Sequence, residues 1–289
     1  MTKSLLSTMP APAAICLAAF LGAALQAPSQ VALSRGHTDF GIGYEDGNWH
    51  LHIGRHQDLP PAEYAPDEVV LLVGPAAGTL IPPGQAFGFL GEPGAPAYIL
   101  PQVENPALLF LGLDTEELPA GMFTNNQVRL TLKSIAGPGH FALYEVSALG
   151  FPAVLLNSRD GVSPADGVVL ATGEHRHVNW AFSAPGIYEL VFDASGTLAA
   201  TGQFTTSEPA TCTLKVLGEA PKLHLSSGPT GLLLKWPSVL GVNYIVQHRE
   251  DMTRGDWINH GDPLHGTGSE LSITPANAQQ SGFFRLLLE

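Results

Sequence analysis

Glu174-His-Arg-His-Val-Asn-Trp-Ala-Phe-Ser-Ala-Pro-Gly-Ile-Tyr188 is the stretch that decides how the chain is read. Val178, Trp180 and Phe182 alternate with His175, His177, Asn179 and Ala181. Successive side chains of a strand point to opposite faces, so one face is apolar and the other carries His, His and Asn in a row. Pro185-Gly186 breaks the strand as a turn, and Ile187 to Phe192 reads as the returning strand. Two residues of rise set the imidazoles of His175 and His177 side by side, about 7 Å apart at their Cα atoms. That spacing suits a shared metal ion. Taken alone, the pair reads first as two solvated histidines, because a metal site needs three or four ligands.

A second stretch carries the same pattern. In Gly36-His-Thr-Asp-Phe-Gly-Ile-Gly-Tyr-Glu-Asp-Gly-Asn-Trp-His-Leu-His-Ile-Gly54, Asp46-Gly47 lies between two alternating segments. A type I′ turn needs positive φ at both central residues, which makes Asp-Gly a strong hairpin signal. With that dipeptide as the turn, Tyr44 faces Trp49, Ile42 faces Leu51 and Phe40 faces Ile53, all on one face. The other face carries His37, Asp39, His50 and His52, with His56 just beyond. A slip of one residue would scramble this segregation, so the clean split supports the register.

The remaining chain is a series of short apolar or alternating segments separated by Gly- and Pro-rich turns. Glu68 to Val73, Phe87 to Leu90, Ala97 to Leu100, Ala107 to Leu113, Gln127 to Ile135, Phe141 to Val146, Ala153 to Asn157, Val168 to Ala171 and Ala210 to Leu217 read as strands, and Pro60 to Pro66 as a proline-rich loop. No segment keeps a helical period. The predicted class is all-β, an antiparallel β-sandwich main domain over residues 35–217. Gly218-Glu-Ala-Pro221 reads as a linker, and residues 222–289 as a smaller β-sandwich-like unit. Trp236 before Pro237, and Tyr244-Ile-Val-Gln, resemble the B and C strands of a fibronectin type III-like module that is short by a strand or two. Its histidines (His224, His248, His260, His265) are scattered without ligand spacing.

Only 13% of the residues are charged and the formal net charge is −13. With no basic stripe to neutralise phosphates, nucleic acid and anionic membrane surfaces are excluded as partners. Residues 1–27 have the character of a signal peptide. Lys3 precedes an apolar run from Ala13 to Leu25, too short for a membrane span, and cleavage is expected between about Ala24 and Ala32. The expected location is therefore outside the cytoplasm: extracellular, periplasmic or at the cell surface, with no stable membrane insertion after signal removal. Cys212 is then the sole cysteine, beside Leu214 and Val216 on one face, and reads as a core residue.

His37-Thr-Asp, Asp46-Gly-Asn-Trp, Phe87-Gly-Phe-Leu-Gly, Leu100-Pro-Gln, Gly137-Pro-Gly-His, Asn157-Ser and Thr172-Gly-x-His-x-His-x-Asn-Trp-x-Phe, taken together, resemble the surface-anchored protein domain first described in actinobacteria and found in choice-of-anchor M proteins. The resemblance spans residues 35 to 217. It implies a role beside metal-uptake ABC transporters or other cell-surface proteins, in metal capture or delivery. It also implies a ligand set of His37, Asp39, His140, His175 and His177. The sequence departs from the family in ending Leu286-Leu-Leu-Glu289, without a sorting motif, membrane span or basic tail.

Imidazoles with one carboxylate suit Zn²⁺ or another borderline divalent ion. The five residues are expected to converge on one ion, with His50 and His52 as additional ligands and Asn179, next along the His175–His177 face, orienting a ligand from behind. Two other functions fit the same residues. An adhesion or carbohydrate-binding module would use Tyr44, Trp49 and Trp180 as stacking platforms. A metal-dependent hydrolase would need a general base such as Glu145 or Glu174, although no hydrolase motif is present.

Overall fold

The computed structural model describes residues 30–56, 61–228, 231–239, 242–275 and 282–288; the expected leader over residues 1–27 lies outside them. Strands, turns and short 3₁₀ segments make up the described chain, with no α-helix among the described residues. The all-β expectation therefore stands. No helix among the described residues is long and apolar enough to cross a membrane. The first hairpin has the register read from its sequence: Tyr44 opposes Trp49, Ile42 opposes Leu51 and Phe40 opposes Ile53. Asp46 and Gly47 take φ of 51° and 84°, the left-handed pair that a two-residue turn demands.

Three sheets enclose one core. A seven-stranded sheet runs Val31–Leu33, Val69–Val73, Ala210–Val216, Gly186–Thr197, Gln127–Ala136, Gly167–Ala171, with Phe204–Thr206 paired to the Gly186–Thr197 strand. A five-stranded sheet runs Pro152–Asn157, Phe141–Val146, Asn179–Phe182, Pro96–Leu100, Gly78–Leu80. A second runs His175–His177, Leu109–Asp114, Gly36–Glu45, Asn48–Arg55, Ala62–Tyr64. Most ladders are antiparallel; Gly36–Glu45 with Leu109–Asp114 is one of three parallel pairings among the described residues. Phe192 of the large sheet meets Phe40 of the hairpin sheet at 5.5 Å and Trp180 of the other at 6.4 Å between ring centroids. Both smaller sheets thus pack on the same core.

The alternation through residues 175–182 predicts one strand, and here the structure differs. The stretch divides at Val178: His175–His177 pairs with Leu109–Asp114, while Asn179–Phe182 pairs with Phe141–Val146 and Pro96–Leu100 in the other five-stranded sheet. Val178, Trp180 and Phe182 keep a common apolar side and are 0%, 0% and 1% exposed. On the opposite side, Asn179 and Ala181 are buried too, because a smaller cluster around Ala142, Tyr144 and Leu90 covers them. Phe87 to Leu90, expected as a strand, forms turns whose aromatic rings complete that cluster. Within the expected Pro60–Pro66 loop, Ala62–Tyr64 adds a short edge strand to the hairpin sheet.

The C-terminal residues form their own two sheets, one of His224–Gly228, Gly231–Pro237 and Glu270–Ile273, the other around Asn243–Arg249. Trp236 and Tyr244 are fully buried, with ring centroids 6.0 Å apart, at the centre of a separate apolar cluster. Leu217 spans the two units. Its N–H donates to Val73 of the large sheet, and its side chain packs in the Trp236 cluster. The independence of residues 35–217 is a proposal that limited proteolysis tests, by release of a stable fragment ending near Leu217.

Cys212 is 1% exposed, on the strand beside Leu214 and Val216, and burial pushes its thiol up to about 12. A thiolate is the reactive form, so native protein at pH 8 should resist labelling by a disulfide reagent for hours. Unfolding in guanidinium should release one reactive thiol at once. Rapid native labelling would contradict the packing of this strand.

Candidate metal centre

Four residues from two strands meet on one face of the hairpin sheet: His37 and Asp39 from Gly36–Glu45, and His175 and His177 from His175–His177. One ligand atom from each lies within 4.8 Å of the others. His37 Nε2 is 3.1 Å from His175 Nε2 and 3.1 Å from His177 Nε2. His175 Nε2 is 3.1 Å from Asp39 Oδ1, and His177 Nε2 is 3.9 Å from the same oxygen. A single proton on His37 can serve one neighbouring nitrogen, not two. A central cation would satisfy all of these lone pairs together, and tetrahedral zinc with bonds of about 2.0–2.1 Å spaces its ligand atoms about 3.3 Å apart.

The backbone register explains how this crowding is possible. Asp39 opposes Gly112 on one side and Gly54 on the other, and Gly112 in turn opposes His177. A Cβ built at Gly112 would fall 2.1 Å from Asp39 Oδ1 and 3.0 Å from His177 Cε1; at Gly54 it would fall 2.9 Å from His56 Nε2. Glycine leaves floor space for the side chains to lean across the ladder. Phe110, opposite His37, stacks flat on the His177 ring at 3.5 Å and 2°. That contact fixes the plane of the imidazole.

Burial shapes the electrostatics. Asp39 is 1% exposed, and desolvation pushes its carboxyl up against the pull of His37, His175 and His56. Its Oδ2 has His37 and His56 Nε2 each at 3.1 Å, yet no hydrogen bond of acceptable geometry reaches it among the described residues. A buried carboxylate oxygen without a donor is costly, and a cation offsets that cost. Desolvation, reinforced by His37 and His175, lowers His177 to about 4 against a backbone contact at Leu111, so its imidazole is neutral at pH 7 and keeps its lone pair.

The strand bearing His175 and His177 is held from behind. Arg176, on its other face, grips Glu145 through two hydrogen bonds of 2.7 and 2.6 Å, and this keeps the Glu145 carboxyl below the usual range. Thr115 ties down the preceding turn, its hydroxyl donating to Ala171 O at 2.6 Å and Glu174 O at 3.1 Å. The Glu174 carboxylate accepts from Ala171 N at 2.6 Å. Both carboxylates considered as general bases are thus bound into the frame.

The sequence-derived ligands separate into three places. His37, Asp39, His175 and His177 come together. His140 stands apart, because its strand belongs to the sheet of Trp180; it is exposed beside Phe89 and Phe182, and its N–H donates to Ser183 Oγ at 2.7 Å. Asn179 lies across the break at Val178, bonded to Gln102 and Tyr144 rather than to a ligand. His50 and His52 belong to a neighbouring group with Glu117. His56, placed on this face by the hairpin but outside the ligand set, reaches Asp39. The glycines and Glu117 were missed: the former carry no side-chain signal, and the latter sits in a turn without period.

No family model and no curated protein matches the chain. Among solved structures, the class 5 fimbriae chaperone CfaA is similar over 56% of this chain and 87% of that one, at 10% identity and a TM-score of 0.23. At that level the likeness adds nothing to the reading of the site.

The depressed His177 gives the metal-free fold a pH signature. The unfolded chain takes up this proton near 6.5 and the native chain near 4, so the unfolded state binds more protons in between. The contribution is complete well above pH 6.5 and is lost as pH falls through 6.5 towards 4, on the order of 3 kcal/mol. Denaturant unfolding in chelator across that window should show stability falling in the wild type and a flatter profile in H177Q. Parallel profiles would contradict the assignment.

Proposed function

We propose that the protein is a non-enzymatic metal-binding β-sandwich that holds one divalent transition-metal ion at His37, Asp39, His175 and His177. The convergence of three imidazoles and a buried carboxylate, from segments more than 130 residues apart, carries the reading. Three nitrogens and one oxygen suit Zn²⁺ first, with Mn²⁺ and Cu²⁺ as competitors. The side chains of His37 and His175 are 21% and 29% exposed, so an ion would have a path to and from solvent. That opening suits capture and release better than a sealed structural site. The resemblance to surface-anchored domains supports a place outside the cytoplasm, delivering metal to an uptake system of the ABC type.

The adhesion reading draws no comparable support. Trp180 is buried, and Trp49 stacks on Phe123 with its indole N–H donating to Thr205 Oγ1 at 3.2 Å. These rings pack the fold rather than offer platforms.

The test is calorimetric titration of tag-free protein with Zn²⁺, Mn²⁺ and Cu²⁺, paired with melting curves. Replacing His175 and His177 together by Ala removes two ligands and should weaken the first ion at least a hundredfold. At a hundredfold excess over Kd the ion should stabilise the wild type by about 2.7 kcal/mol. Gly112→Ala should also lose the ion with every ligand intact, since its Cβ occupies the Asp39 position. Micromolar binding that survives in all these variants at undiminished stoichiometry would overturn the assignment.

A further inference from the structure

His50 and His52 carry a pattern that the first ion does not use. They stand on the second hairpin strand, Asn48–Arg55, on the same sheet face, opposite Gly43 and Gly41. Both rings lean over those glycines. A Cβ at Gly41 would fall 2.1 Å from His52 Nε2, and one at Gly43 would fall 2.1 Å from His50 Cε1 and 2.5 Å from Glu117 Oε2. The two imidazoles stack at 5.5 Å and 24°, and His50 Nε2 is 2.7 Å from Glu117 Oε2. One ligand atom from each of the three lies within 4.8 Å of the others.

We infer that His50, His52 and Glu117 form a second divalent-metal site, more open than the first and independent of it. A hydrogen bond between His50 and Glu117 requires neither His52 nor the glycine beneath it, yet both are placed at the same point. His52 Nδ1 is buried without a hydrogen-bond partner among the described residues. Glu117 is brought there by a tight turn: Leu118 N–H donates to Thr115 O at 2.9 Å, Glu116 N–H to Asp114 Oδ1 at 2.6 Å, and the Leu118 side chain is 1% exposed. Asp114 also opposes both His175 and Gly41 in the ladders, so this turn borders both groups. Two imidazoles and a carboxylate select borderline divalent ions, and three protein ligands leave a position for water. The side chains of His50 and Glu117 are 44% and 40% exposed, which favours exchange.

The experiment is equilibrium dialysis of the tag-free chain against Zn²⁺ with metal counted by mass spectrometry, repeated with Co²⁺ for its visible absorption. The wild type should hold two ions per chain. H50A/H52A and H175A/H177A should each hold one, and E117Q should weaken the looser ion at least tenfold. Gly43→Ala should lose the looser ion while keeping all ligands and an unchanged circular dichroism spectrum, which decides the matter even where the double variant fails to fold. A stoichiometry unaffected by H50A/H52A, E117Q and G43A would overturn the second site, leaving a hydrogen bond only. A single ion lost in H50A/H52A but kept in H175A/H177A would uphold this site and reject the first.

Discussion

A carboxylate sunk to 1% exposure in the middle of a sheet must be answered by positive charge or by donors, and the candidate centre is arranged around that demand on Asp39. Imidazoles from His37, His56 and His175 stand about it, with His177 slightly farther. Glycines on both neighbouring strands vacate the space around it: Gly112 leaves room for its Oδ1, and Gly54 for the His56 ring. Neutral histidines answer the charge poorly: His177 is driven towards neutrality by the same burial that raises Asp39. A divalent ion bound there would resolve the conflict, since it would supply charge without asking any imidazole to hold an extra proton.

The frame that delivers these groups depends on the break at Val178. Had the alternation continued in one sheet, His175 and His177 would have lain in line with Trp180, far from the hairpin's Asp39. The chain instead places two ligands on an edge strand of one sheet and three core residues in the next, with Val178 buried at the crossing. The Arg176–Glu145 pair fastens that edge strand to the neighbouring sheet. Being partly exposed, the pair contributes modestly to stability and more to position.

Much of this was legible in the residues. Asp46-Gly47 and the flanking alternation specified the hairpin to the residue, because turn chemistry and a period of two constrain register together. The same periodicity put His37, Asp39, His175 and His177 on usable faces. It failed where pattern is silent about partners: nothing in 175–182 signals which sheet each half joins, since buried Val178 fits either. His140 went astray for a related reason, as the Pro138-Gly139 turn reveals a strand's start and not the sheet it enters. Glu117 and the cradle glycines are products of tertiary approach, invisible without the fold.

The two halves of the first group are each local, His37 with Asp39 and His175 with His177, but 136 to 140 residues separate one half from the other. Neither pair alone offers three ligands, so an ion would gain its full coordination only after the most distant segments have met. Metal bound as proposed would therefore reward completion of the fold rather than nucleate it, unlike a finger whose ligands close a short loop. In kinetic terms, loading would come after the slow, non-local step of folding. A chain that emerges unfolded into a metal-poor medium would lose nothing in folding rate by the delay.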